Sequence, residues 1–163
     1  IGTIATYIKG KMITESARTT PESIELQKTF TEMEKQGVEY VVMEVSSQSL
    51  KVGRVDGMEF DYGVFTNLTQ DHIGDNEHPN MEDYIYCKSL LFSKCKYGVF
   101  NIDDSHYDDM LKECTCDVHT FGYNKNSDIV IDNVKLLRRE NFIGIEVATS
   151  GMVCDKFFEH LFC

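Results

Sequence analysis

Residues 97–121 read Tyr-Gly-Val-Phe-Asn-Ile, then Asp-Asp-Ser-His-Tyr-Asp-Asp-Met-Leu-Lys-Glu, then Cys-Thr-Cys-Asp, and close on Val-His-Thr-Phe. The first and last pieces are short, β-branched and aromatic, as strands are, and residues 103–113 between them suit a helix. Strand, helix and strand in that order make a βαβ unit, and such units build parallel sheets. Working toward the N-terminus, residues 81–95 read as a second helix and residues 60–68 as another strand. Tyr40-Val41-Val42-Met43-Glu44-Val45 is a nearly continuous apolar run, which suits a parallel strand covered on both faces. Thr20-Pro21-Glu22 opens a further helix with a hydroxyl cap, a proline and an acid in the first turn. Leu26, Phe30 and Met33 give that helix an apolar stripe, and Gly37 closes it. Residues 1–7 read as a strand. Toward the C-terminus, residues 129–137 and 142–148 read as a β-hairpin. The expected fold is therefore α/β, a mainly parallel sheet with flanking helices and an appended C-terminal β-hairpin.

The chain has 163 residues, 42% of them hydrophobic and 26% charged, which is the balance of a globular domain and not of a disordered one. No apolar run approaches the roughly 20 residues that span a bilayer, and no basic-then-apolar leader opens the chain. A cytoplasmic location is the simplest expectation. The net charge of −11 argues against a nucleic-acid backbone or an anionic membrane as partner, since both require basic patches. It leaves room for an anionic small molecule held by a few cations and a metal. Cysteines stand at 87, 95, 114, 116, 154 and 163; Cys114 and Cys116 have no second pair at zinc-site spacing, and all read as reduced thiols.

In an open α/β sheet, ligands gather at the carboxyl ends of the strands, and that is where residues break the pattern. Glu44 ends an apolar run, where a carboxylate requires a cation, a metal or hydrogen bonds, or else a route to solvent. Asp71-His72 follows the strand at 60–68 and could serve a metal or acid–base role. His72, Asp75, Glu77 and His78 could form a wider cluster, although loops are rich in such residues by default. Lys88 shares a helical face with Tyr84, Ile85, Leu91 and Phe92, a position that invites either snorkelling or chemistry. Arg54, shortly after Ser46-Ser47, could fork onto a carboxylate or phosphate.

Five stretches stand together in order and spacing: Thr19-Thr20-Pro21-Glu22-Ser23, Met43-Glu44-Val45-Ser46-Ser47, Gly53-Arg54-Val55-Asp56-Gly57, Phe65-Thr66-Asn67-Leu68-Thr69-Gln70-Asp71-His72, and Met81-Glu82-Asp83-Tyr84 followed by Lys88. With these the chain resembles the Mur ligase family, and within it the members that add the third residue of the UDP-MurNAc peptide. The resemblance runs over residues 1 to about 105, weakens beyond, and is not seen after Thr149. It divides the chain into a partial central ATPase-type domain at 1–149 and a divergent tail at 150–163.

The resemblance implies ATP-dependent joining of a diamino acid, meso-diaminopimelate or L-lysine, to UDP-MurNAc-L-Ala-D-Glu through an acyl phosphate. It implies Glu44, His72 and a carbamylated Lys88 as catalytic magnesium ligands. It implies Thr19, Thr20, Ser46 and Arg54 as contacts to the UDP-MurNAc dipeptide, with Asn67 and Asp71 supporting them. The chain departs from the family at Gln48, where many members have His, at Val52, where a polar contact is common, and in the longer stretch from Ile73 to Asn80. In the family a strand, a phosphate-binding loop and a helix precede Ile1-Gly2-Thr3, and an amino-acid-selecting domain follows the hairpin. No G-x-x-x-x-G-K-[ST] occurs in this chain. The expectation is therefore a fragment that does not turn over ATP alone and is poorly soluble or self-associates through an exposed sheet edge. The alternatives are a non-catalytic binding remnant, another ligase of the folylpolyglutamate type, or a hydrolase using the His72–His78 loop.

Overall fold

The computed structural model describes all residues except 72, 75, 76, 140, 141, 152–155 and 163, and further omits the side chains of 139, 142, 143 and 156–162. The described chain forms two compact units, one of Ile1–Glu59 with Gln70–Leu91 and one of Phe60–Thr69 with Phe92–Cys163.

In the first unit, strands β1 (Ala5–Ile8) and β2 (Lys11–Glu15) form an antiparallel hairpin. Helix α1 spans Ser23–Lys35, and its start is a capping box between Glu22 and Glu25. It buries Leu26 and Met33, two of the three apolar positions that define its stripe. The short helix α2 (Ser47–Lys51) begins at Ser46, whose hydroxyl accepts from the Ser49 amide at 3.2 Å. Helix α3 (Met81–Ser89) is capped by Asn80, which accepts from the Asp83 amide at 2.8 Å. It tightens into a 3₁₀ turn over Leu90–Ser93 rather than running on to Cys95.

Two expectations change here. The chain turns back after Ile8, so the strand expected over residues 1–7 starts later and gains a partner, β2. Residues 40–45 do not form a strand. Among the described residues their backbone-to-backbone bonds are those to Ile1, whose ammonium donates to the Val42 carbonyl at 2.9 Å and whose carbonyl accepts from the Glu44 amide at 3.0 Å. A ladder needs a neighbour along its length, and Tyr40 and Val42 lie 86% and 87% exposed.

The second unit is a six-stranded sheet in the order β3 (Phe60–Phe65), β4 (Cys95–Asn101), β5 (Asp117–Gly122), β6 (Ile129–Arg139), β7 (Phe142–Gly151) and β8 (Lys156–Phe162). The pairs β3–β4, β4–β5 and β5–β6 are parallel, and β6–β7 and β7–β8 are antiparallel. The fold class is thus α/β with a mainly parallel core and an antiparallel extension. The β4–β5 connection contains only the single-turn helix α4 (Tyr107–Met110), far shorter than the span 103–113, because the side chains of Asn101 and Asp104 accept from the Asp103 and His106 amides and hold the start in a turn. Phe65, Phe100 and Thr120 align in register across β3, β4 and β5 and are all buried. Phe100 packs on Phe92 at 4.2 Å between ring centroids, and a Cβ on Gly98 would meet the Phe100 ring at 2.5 Å. This strand therefore needs glycine and a large ring two residues apart. Phe100→Ala should lower unfolding free energy by about 3–5 kcal/mol in urea titration, the usual range for a buried Phe.

Candidate functional site

Thr19, Thr20, Glu44, Ser46, Arg54 and Lys88 all belong to the first unit. Thr20 is fully buried just before the cap of α1. Its hydroxyl donates to the Glu44 carbonyl at 3.0 Å and accepts from the Ser46 amide at 2.9 Å, with Ser46 Oγ at 3.4 Å. Glu44 extends from the same segment. Its Oε2 accepts from the Thr3 hydroxyl at 2.6 Å and from the Thr3 amide at 3.4 Å. The Thr3 hydroxyl also lies 3.1 Å from Thr19 Oγ1. A Cβ on Gly2 would fall 2.5 Å from Glu44 Oε1, so a side chain there would displace the carboxylate. Gly2-Thr3 is a contact the sequence pattern did not single out.

Arg54 is largely buried along its side chain. Its Nη1 donates to the Thr20 carbonyl at 3.3 Å, and Nε lies 3.1 Å from Glu22 Oε1 without a hydrogen bond aligned on it. Glu22 also pairs with Arg18. The structure therefore brings Thr19, Thr20, Glu44, Ser46 and Arg54 into one hydrogen-bonded group, with hydroxyls, a carboxylate and a guanidinium within it. His72 lies outside the described residues, as does Asp75.

Lys88 sits near the end of α3 with Nζ 5.4 Å from the centre of the Tyr84 ring. Burial pushes its ammonium below the usual lysine range, and the Asp71 charge opposes that shift. A lysine that loses its proton more readily is a better nucleophile toward an electrophile such as CO₂. Asn67, in the second unit, is exposed and bonds locally to Thr66 Oγ1 at 3.5 Å.

A second group, in which only His78 is a candidate from the sequence, lies in the same unit. His78 is buried, with Nδ1 2.5 Å from Asp83 Oδ2 and Nε2 2.8 Å from Ser47 Oγ. Lys51 Nζ is 2.7 Å from the same Asp83 oxygen. Lys51 and then His78 hold the Asp83 carboxylate below its usual range. His78, Asp83 and Cys87 place possible metal-ligating atoms within 4.8 Å of one another. Yet the carboxylate already carries two hydrogen-bonding partners, one an ammonium, and burial raises the Cys87 thiol pKa. That is the chemistry of a closed hydrogen-bond network, not of a cation site. Cys114 and Cys116 are free thiols with sulfurs 3.3 Å apart.

Two expectations follow from this geometry. Thr20→Val keeps the shape but strands the Ser46 amide, and should cost about 1–3 kcal/mol by thermal unfolding. Lys88→Met removes a charge that burial disfavours. The unfolded chain holds the lysine proton more tightly than the folded one, so wild-type stability climbs as pH rises from the folded-state value to the ordinary lysine range near about 10.4. In bicarbonate-free buffer Lys88→Met should be more stable than wild type at neutral pH, with the gap narrowing across that window.

The family model for the Mur ligase middle domain matches residues 1–154. The chain is 46% identical over 139 residues to UDP-N-acetylmuramoyl-L-alanyl-D-glutamate–2,6-diaminopimelate ligase 1 of Clostridium acetobutylicum, covering 85% of this chain and 28% of the relative. It is 46% identical over 149 residues to the 2,6-diaminopimelate ligase of Clostridium botulinum, covering 91% of this chain and 29% of the relative. It is 43% identical over 135 residues to the L-lysine ligase of Streptococcus mutans, covering 83% and 28%. A solved structure of a UDP-N-acetylmuramoyl-L-alanyl-D-glutamate–2,6-diaminopimelate ligase superposes with TM-score 0.76 at 25% identity, covering 98% of this chain and 32% of that one. The chain thus spans less than a third of the length of the curated relatives it matches. With the family model running over nearly its whole length, the chain belongs to the Mur ligase middle-domain family.

Proposed function

We propose that this chain is the middle domain of a ligase that joins a diamino acid to UDP-MurNAc-L-Ala-D-Glu in peptidoglycan precursor synthesis. The observation that carries this reading is the 46% identity, over 85% and 91% of the chain, to two relatives named as diaminopimelate ligases. The diamino acid is meso-diaminopimelate or L-lysine, since relatives of both names match at similar identity. A cytoplasmic location goes with this role; among the described residues no helix is long and apolar enough to cross a membrane.

In this reading Thr19, Thr20, Ser46 and Arg54 face the nucleotide-linked dipeptide, whose carboxylates, amides and phosphates match hydroxyl and guanidinium donors. Glu44, His72 and Lys88 hold Mg²⁺, a hard cation that takes oxygen ligands. The donor set fits that ion in part: Glu44 Oε1 makes no hydrogen bond among the described residues, while Oε2 is fixed by Thr3. Lys88 becomes an oxygen donor when its neutral amine attacks CO₂, forming an N–C bond and releasing a proton to solvent. When bound, Mg²⁺ and ATP supply charge neutralisation and the phosphoryl group that turns the substrate carboxylate into an acyl phosphate. The division at residue 149 into central domain and tail remains part of this proposal.

In the complete ligase polypeptide carrying this domain, magnesium-dependent phosphate release should require both UDP-MurNAc dipeptide and a diamino acid. Lys88→Ala should lower the rate by roughly 10–100-fold or more, and should abolish the carbamate carbon signal seen by NMR in ¹³C-bicarbonate. The 163-residue chain alone should release no phosphate. Phosphate release indifferent to the dipeptide would overturn the reading.

A further inference from the structure

His78, Ser47, Asp83 and Lys51 form a buried polar group that the proposed chemistry does not use. His78 is 1% exposed, and both ring nitrogens are occupied. An ionised carboxylate only accepts, so Nδ1 carries a proton and donates to Asp83; in the neutral ring Nε2 then accepts from the Ser47 hydroxyl. The order Ser47, His78, Asp83 has the connectivity of a hydrolase triad. Ser47, however, is 4% exposed at the first position of α2, which leaves its hydroxyl no path to a substrate carbonyl.

We propose that His78 is a positioning residue for the ligase chemistry, locking α3 and its Lys88 to the serine turn that starts α2; this rests on the function proposed above. Two lines of contact support it. Ser47 and Lys51 are the first and last residues of α2, and they reach one oxygen of Asp83, the former through His78 and the latter directly. Asp83 lies in the first turn of α3, five residues before Lys88. The His78 ring also packs against Tyr84 at 5.1 Å between centroids, and the Tyr84 ring lies beneath Lys88 Nζ at 5.4 Å. His78 therefore fixes the aromatic face against which the lysine is presented. At the other end of the brace, Ser47 adjoins Ser46, which is held to Thr20. Buried, fully satisfied networks of this kind set the orientation of groups they do not themselves join.

The test uses the complete ligase polypeptide with His78→Phe, His78→Asn and Ser47→Ala. His78→Phe should lower kcat by roughly 10–100-fold, the range for residues that orient metal-binding groups, with KM for the UDP-linked dipeptide little changed. The Mg²⁺ concentration giving half-maximal rate should rise. His78→Asn, whose amide can donate to Asp83 in place of Nδ1, should recover part of the rate. A readout independent of ligation is the acylation rate of Lys88 by an amine-reactive ester at fixed pH, mapped by mass spectrometry against Lys94 and Lys96; it should rise severalfold in His78→Phe. Wild-type kcat, Mg²⁺ requirement and Lys88 labelling in a folded His78→Phe protein would overturn the proposal. A drop in melting temperature with those three readouts unmoved would also overturn it, leaving His78 a purely structural residue. If wild type shows no ligation, the ligase reading fails by itself, and Lys88 labelling alone decides the role of His78. If His78→Phe does not fold, Ser47→Ala, which deletes one hydroxyl, carries the same kcat and labelling readouts.

Discussion

The hydroxyl of Thr20 is the point on which the first unit turns. Fully buried, it donates to the Glu44 carbonyl and accepts from the Ser46 amide, so one oxygen satisfies two backbone groups two residues apart. The segment leading up to Glu44 has no strand ladder, and an extended backbone without one must find its partners elsewhere. Ile1 supplies two, at 42 and 44, and Thr20 supplies two more, at the Glu44 carbonyl and the Ser46 amide. This fixes where the Glu44 carboxylate leaves the backbone and where the cap of α2 begins. Thr3 and Gly2 then set the carboxylate itself, one by hydrogen bonds and the other by having no side chain.

Lys88 shows a tension of a different kind. Placing a cation against a tyrosine ring on a half-buried helical face recovers some electrostatic attraction, and Asp71 adds to it. Burial still prevails, and the ammonium is easier to deprotonate than an exposed lysine. A residue kept for stability alone would be better apolar at this place. The position makes physical sense when the neutral amine has work to do, and the carbamate reading gives it that work.

In the second unit the sheet changes character along its length. Strands β3 and β4 alternate small and large buried residues, Gly63 and Phe65, Gly98 and Phe100, and the rings of Phe92 and Phe100 lie against the room the glycines leave. From β6 onward the strands are longer and antiparallel, as a hairpin permits and a crossover does not. Asp128 secures the join: its carboxylate accepts from the amide and hydroxyl of Thr120 while its own amide donates back to that hydroxyl.

The sequence by itself determined the α/β class, the presence of α1 and its end before Gly37, the parallel pairing of 97–101 with 117–121 and the hairpin from 129, because these rest on local periodicity and turn chemistry. It set the cap of α1 at Thr20, whereas the cap is Glu22 and the Thr20 hydroxyl is taken by Glu44 and Ser46. It also picked out Glu44 and Lys88, since a charge in an apolar run is visible without coordinates. It misjudged residues 40–45, because an apolar run records a tendency to extend but not whether a neighbouring strand is there to pair with. It showed Ser47 and Asp83 only as parts of longer motifs, gave Thr3 and Lys51 no role, and gave His78 only the standing of one polar loop residue among several. None of these is unusual in its local setting. Only the tertiary structure decided that His78 is buried between α2 and α3, because hydrogen bonds between residues 31 and 5 positions apart leave no period in the chain.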